Sequence, residues 1–239
     1  MKLADLSPYL ERKIDIHLDL WAGALLLGQA RTGSNKDRAE SSDRGEVGNQ
    51  EVDLHGAMAE LLLLSFVKNI DEDAKSHMLA HLFNANGGGT VKGPDLQFHD
   101  GDCTISIDVK SHDLALKKIR FAINKSKHID LGGQCDYYFC VLAPPWGQQA
   151  FLTQVVPYGD VTAWDAYALK KGKAPSYNLL LESFIPKYGP TCNLSELRKS
   201  PRYPIEKVRE RAFSRSFLMH FFDRFPGTRQ FIPYDNRRT

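Results

Sequence analysis

In the stretch GPDLQFHDGDCTISIDVKS, Asp95 follows Pro94, twelve residues intervene, and Asp108-Val109-Lys110 come next. Side chains two apart on a strand share a face, so Ser106, Asp108 and Lys110 look one way and Ile105, Ile107 and Val109 the other. The Asp-Gly step at residues 100 and 101 is a strong hairpin signal, and its turn folds Asp95 back beside Asp108. Two ionised carboxylates so close repel each other and raise at least one pKa unless a cation lies between them. Magnesium meets that need. It binds oxygen ligands at about 2.0–2.1 Å, keeps several waters, and requires only one or two protein carboxylates beside substrate phosphate oxygens. A lysine alongside would orient or help deprotonate an attacking water and stabilise charge developing on phosphorus. A solvated ion-pair face of little energetic value is the competing reading of the same spacing.

Glu60 favours the metal. In HGAMAELLLLSFV its neighbours one turn away are Gly56, Ala57, Leu63 and Leu64, so a carboxylate stands in an apolar helical row. A buried carboxylate needs a cation, either a metal or a basic side chain from the C-terminal region. The small Gly56 and Ala57 would let this helix approach a sheet closely.

The elements that must position these groups follow from periodicity. Ser7-Pro8, then Leu10, Ile14, Leu18, Trp21 and Leu25 at helical spacing, predict a helix over 8–28. Residues 31–50 contain only Ala39 and Val47 as aliphatic side chains and predict a loop. Helices are predicted over 52–68 and 71–83, before NANGGGTVKGP breaks the pattern. After the hairpin strands at 96–98 and 103–110, HDLALKKIRFAINKSKHID predicts a basic amphipathic helix, and CDYYFCVLAP and AFLTQVVPYG predict two strands. Further on, 160–171 reads as a helix, 177–184 as a strand or buried helical turn, and 204–222 as one long helix. The order of elements predicts an α/β fold with a mixed central β-sheet flanked by helices.

Glu60 on an early helix, Pro94-Asp95, and Asp108-Val109-Lys110 at a strand end resemble the PD-(D/E)xK nuclease superfamily, over roughly residues 52–143. The resemblance implies a restriction-endonuclease-like core at about 52–160 in a single domain, with extra helices at 1–30 and 198–239. It implies Asp95 and Asp108 as ligands of a divalent ion, Glu60 completing the metal environment, the Val109 carbonyl as a further ligand, and Lys110 acting on the water. Asp stands at the second acidic position where Glu is commoner, which the pattern permits. The implied activity is magnesium-dependent hydrolysis of DNA phosphodiesters, with manganese substituting, in a restriction or phage-defence endonuclease. A structure-specific nuclease such as a junction resolvase and a non-catalytic DNA-binding protein of the same fold are the alternatives.

A phosphate backbone over such a site would be held by Lys92, Ser111, His112, Lys117 and Lys118, and by Arg209, Arg211 and Arg215 on the last long helix. Trp146 of APPWGQQ is either exposed for stacking or folded onto its own domain. The aromatic segment SFLMHFFDRFP serves the core or a second copy of the chain, so a homodimer joins the expectations.

Composition sets the outer limits. With 239 residues, 42% hydrophobic and 25% charged, the chain suits one principal core, and Leu61 to Leu64 with Phe66 and Val67 form a short apolar run. That is far short of a membrane span. The first twenty residues mix charges into apolar positions, unlike a secretory signal, and the four cysteines form no CxxC pair. A cytoplasmic address with reduced thiols and no zinc site is expected. The formal charge of +2 hides an asymmetry: from Arg198 onward eleven Lys and Arg face four acids, leaving −5 in residues 1–197. Such a balance suits a C-terminal region that touches polyanion, or a solvated basic face.

Overall fold

The predicted hairpin forms from β2 (Leu96–Asp100) and β3 (Cys103–Asp113), with Asp100 opposite Cys103 and Leu96 opposite Ile107. The computed structural model describes residues 2–34, 45–67, 94–100, 102–115, 120–132, 135–168, 175–189 and 191–232. On its other side β3 runs parallel to β5 (Tyr137–Ala143), placing Asp108 opposite Tyr138 and Lys110 opposite Cys140. The sheet continues antiparallel through β6 (Gln149–Leu152) to β1 (Arg12–Asp15), and β7 (Val156–Pro157) also pairs with β5. A parallel pair needs a crossover. Here the crossover carries β4 (Arg120–Asn124) and α3 (Lys125–Asp130), and β4 joins β9 (Ser176–Leu180) and β8 (Asp165–Tyr167) in a second, antiparallel sheet of order β4-β9-β8.

Each face of the central sheet buries its own core. Helices α1 (Leu18–Ser34) and α2 (Gly45–Val67) pack together over Ile107, Val109, Phe139 and Val141, with Leu27, Met58, Leu63 and Leu64 fully buried. Gly28 permits their close approach, since a Cβ there would lie 3.0 Å from the Leu54 backbone. The opposite face, bearing Tyr138, Cys140 and Leu142, is covered by Phe121 and Ile123 of β4, by Trp164, and by Leu181 and Phe184 of α5 (Leu181–Tyr188). Phe121 and Phe184 stack with ring centroids 4.8 Å apart. The expected α/β architecture, a mixed sheet flanked by helices, is therefore present. Among the described residues no helix is long and apolar enough to cross a membrane.

Several expected elements differ. The helix expected over 8–28 divides into a 3-10 helix at Leu3–Tyr9, the edge strand β1, and α1, because Glu11 takes a left-handed φ of 53° and turns the chain. The expected loop at 31–50 is helical at both ends: α1 runs to Ser34 and α2 begins at Gly45. Packing of the apolar helical segments extends helix into polar sequence that would not sustain it alone. Residues 35–44, the helix expected at 71–83, and Lys92, Lys117 and Lys118 lie outside the described residues.

The basic helix expected after Ser111 is instead the end of β3, then β4 and the short α3. Buried Phe121 and Ile123 flank exposed Ala122, so a period of two won over the helical pattern. Within 160–171, α4 (Tyr158–Val161) contributes only its end and β8 occupies Asp165–Tyr167. The segment 177–184 holds most of β9 and the start of α5, and AFLTQVVPYG divides between β6 and β7. After α6 (Leu194–Arg198), the long helix expected over 204–222 is two, α7 (Ile205–Ala212) and α8 (Arg215–Arg224), separated by an extended Ser214. Leu218, Phe221, Phe222 and Phe225 are buried in the first core, which accounts for much of SFLMHFFDRFP. Trp146 folds onto Trp21, with centroids 5.3 Å apart.

Candidate functional site

The Ser106 amide points toward β5, where Asp136 Oδ2 accepts it at 2.8 Å. Amides alternate in direction along a strand, so the Val109 amide points toward β2. That strand ends at Leu96, and the Asp95 side chain supplies the next rung: its Oδ2 accepts the Val109 amide at 2.6 Å. The Asp95 carboxylate is thereby held near the plane of the sheet, at the end of β2.

Asp108 and Lys110 project toward the second core. The Lys110 ammonium lies 5.5 Å from the centroid of the Tyr138 ring, and the His112 ring, two residues on, packs against Phe121 at 6.0 Å. Residues of opposite parity turn to α2, where Asp113 Oδ2 lies 3.7 Å from His55 Nε2. Asp108 is buried, and the Lys110 ammonium contacts its Oδ2 while lying 3.4 Å from the Val109 carbonyl oxygen. Burial pulls the Lys110 pKa below the ordinary lysine value, and the charge of Asp95 opposes that fall.

Glu60 is buried on α2, the helix on the other face of β3. Arg31 of α1 grips it with both ends of its guanidinium: Nη1 donates to Oε1 at 2.9 Å, and Nη2 contacts Oε2. Gly56 lies directly against that guanidinium: a Cβ there would stand 3.6 Å from Nη1, an ordinary van der Waals contact. Desolvation works to lower the Arg31 pKa, but Glu60, with the fields of Asp95 and Asp53, lifts it above the ordinary arginine value. Asp95 thus interacts electrostatically with Arg31 and with Lys110. The basic partner of Glu60 comes from α1, not from the C-terminal region.

The residues expected to form one acidic cage are therefore arranged as two cation–carboxylate pairs, Arg31–Glu60 and Lys110–Asp108, with the charge of Asp95 acting on both cations. Among the described residues no three His, Cys, Asp or Glu side chains gather as a metal-holding group. The set nearest Lys110, the carboxylates of Asp95 and Asp108 with the Val109 carbonyl, still fits magnesium, because all its donors are hard oxygens and two carboxylates suffice. The Lys110 ammonium, resting against Asp108 and near the Val109 oxygen, marks a position that already attracts a cation.

The expected backbone contacts separate. Ser111 is half-buried near the end of β3, and His112 is buried in the same strand. Arg211 is engaged by Asp19, with Nε donating at 2.6 Å and Nη2 at 2.8 Å, and its guanidinium also lies over Phe217. Arg209 and Arg215 are exposed on α7 and α8, helices whose apolar sides join the first core, across the sheet from Lys110. Sequence reasoning missed Arg31 and Tyr138. Arg31 sat in an apparent loop, and Tyr138 reaches Lys110 only through the parallel register of β3 and β5.

Comparison with protein-family models, with curated proteins and with solved structures finds no match for the chain. The functional reading rests on side-chain geometry.

Proposed function

We propose that the protein is a divalent-metal-dependent DNA endonuclease with a restriction-endonuclease-like core, cutting both strands of a duplex as restriction and phage-defence nucleases do. The observation that carries this reading is the set of contacts beside the end of β2, where Asp95 holds the Val109 amide and the Lys110 ammonium rests against Asp108 and near the Val109 carbonyl. Asp95, Asp108 and the Val109 carbonyl would hold magnesium or manganese. Such an ion polarises phosphoryl oxygens and lowers the pKa of water when bound. Lys110, its pKa lowered by burial, would orient the attacking water as the ammonium and, in its neutral form, take the water's proton at Nζ. Glu60 acts as an auxiliary acid through Arg31, whose charge it fixes within the field of Asp95.

A second reading is a DNA-binding protein of the same fold that does not cut. The bidentate Glu60–Arg31 pair favours it, since that carboxylate already has a cation. Incubating supercoiled plasmid with magnesium and the wild-type protein, Asp108→Ala or Lys110→Ala separates the two. The nuclease reading expects linear product from the wild type alone. Retained duplex binding without cleavage by any version supports the second reading. Preference for four-way junctions over plasmid would point to a structure-specific nuclease.

A further inference from the structure

This inference rests on the nuclease reading, which requires a phosphodiester on the face of β3 that carries Asp108 and Lys110. Helix α3 lies on that side, and several contacts fix it there. Asn124 Oδ1 accepts the Lys127 amide at 3.1 Å, and the Lys125 amide donates to the Pro175 carbonyl at 3.0 Å. His128 is almost wholly buried, its Nδ1 lies 2.6 Å from Tyr138 Oη, and its ring stacks on Tyr158 at 3.9 Å. Tyr138 is the same ring that lies beneath the Lys110 ammonium. Two side-chain contacts therefore connect α3 to Lys110.

Lys127 immediately precedes the anchored His128. It is exposed, and its charge acts on the Lys110 ammonium as a like-charged neighbour. Among the described residues neither Lys125 nor Lys127 has an ion-pair partner. Lys125 lies over the Tyr177 ring, 5.6 Å from its centroid, and residues two apart on a helix do not share a face. Lys127 thus presents an exposed ammonium, without an ion-pair partner among the described residues, on the helix that His128 and Tyr138 tie to Lys110. Neighbouring cations repel, and a chain of phosphates relieves that repulsion while releasing its own counterions.

We propose that Lys127 is a DNA-backbone contact, holding a phosphate that flanks the scissile bond, and that α3 is the element on which the cut strand docks. His128 and Tyr138 are its positioning residues, tying the helix to the strand that carries Lys110. Arg209, Arg211 and Arg215 belong to the other side of the sheet and do not hold this strand.

The test is fluorescence anisotropy of a fluorescein-labelled duplex in EDTA, titrated with protein over a series of potassium chloride concentrations. Lys127→Ala should weaken binding several-fold at fixed salt and reduce the slope of log affinity against log salt by about one. Lys127→Glu should weaken it further. Lys199→Ala, which removes an exposed cation after α6, should leave slope and affinity unchanged. Wild-type affinity and slope in both Lys127 variants, with a wild type that binds the duplex and cuts plasmid, would overturn this inference alone. A wild type that neither binds duplex nor cuts plasmid would overturn the nuclease reading and this inference together.

Discussion

Asp95 Oδ2 lies 2.6 Å from the Val109 amide nitrogen, where the next backbone rung of the β2–β3 ladder would otherwise stand. One carboxylate therefore terminates a strand and faces two cations, Arg31 and Lys110. Asp95→Ala leaves the Val109 amide without its charged acceptor, and such a loss costs roughly 1.5–3 kcal/mol. Asp95→Asn keeps an acceptor and should cost less. Urea denaturation of the two variants checks this: equal losses would mean that the charge, not the hydrogen bond, stabilises the strand end. Under the nuclease reading both variants lose cleavage.

The Arg31–Glu60 pair gives the second prediction. Its side chains are only 21% and 10% exposed, so solvent screens the charges incompletely. Removing one partner strands the other's charge, at a cost of about 3 kcal/mol for a buried pair. Arg31→Met and Glu60→Leu should each destabilise the protein by that order, and the double variant should recover most of the loss. Single variants indistinguishable from wild type in chemical denaturation would show the pair to be solvated and dispensable.

The hairpin was legible because its signals are local. Asp100-Gly101 marks the turn, and the alternation through Ile105, Ile107 and Val109 fixes which residues share a face with Asp108. Glu60 was legible as an anomaly, a carboxylate in an apolar row, but its partner was not. Arg31 lies 29 residues away in sequence that lacks apolar periodicity, and only the packing of α1 on α2 brings it there. The helix expected after Ser111 failed for a related reason. Its basic residues fit a helical wheel, yet Phe121 and Ile123 are drawn into a core completed by Phe184 and Trp164, contributed by later segments. Tyr138 became visible as a neighbour of Lys110 only once β3 and β5 were paired in parallel.

Two buried imidazoles predict an acid-sensitive fold. His55 and His128 are 6% and 1% exposed, and His55 Nδ1 and His128 Nε2 have no hydrogen-bond partner among the described residues. Desolvation lowers both pKa values below the ordinary 6.5, and for His55 Asp113 and Glu51 oppose the shift. Between the lowered folded value and 6.5 the unfolded chain binds more protons than the native one, so stability must fall as pH falls. The stabilisation is complete above about pH 7 and declines below 6.5, by at most about 1.4 kcal/mol per pH unit for each imidazole. Denaturation midpoints measured from pH 7.5 to 5 should fall in wild type and fall less in His128→Gln. A flat profile would mean that both rings are solvated.

Lys110 supplies the last prediction, because its ammonium rests against Asp108 Oδ2 and near the Val109 carbonyl, oxygens that a divalent ion would also need. An ion that binds the native state and not the unfolded one raises stability with its concentration. Magnesium or manganese should therefore raise the wild-type Tm in a dose-dependent way, and Asp108→Asn should abolish the rise. Lys110→Met removes the resident cation and leaves the buried Asp108 charge uncompensated, so the protein in EDTA should melt lower than wild type. The same variant should gain more from the metal than wild type does, since no ammonium has to be displaced. A wild-type Tm indifferent to both metals would leave the lysine as the permanent counter-ion of Asp108, and the DNA-binding reading without cleavage would then be the one the geometry supports.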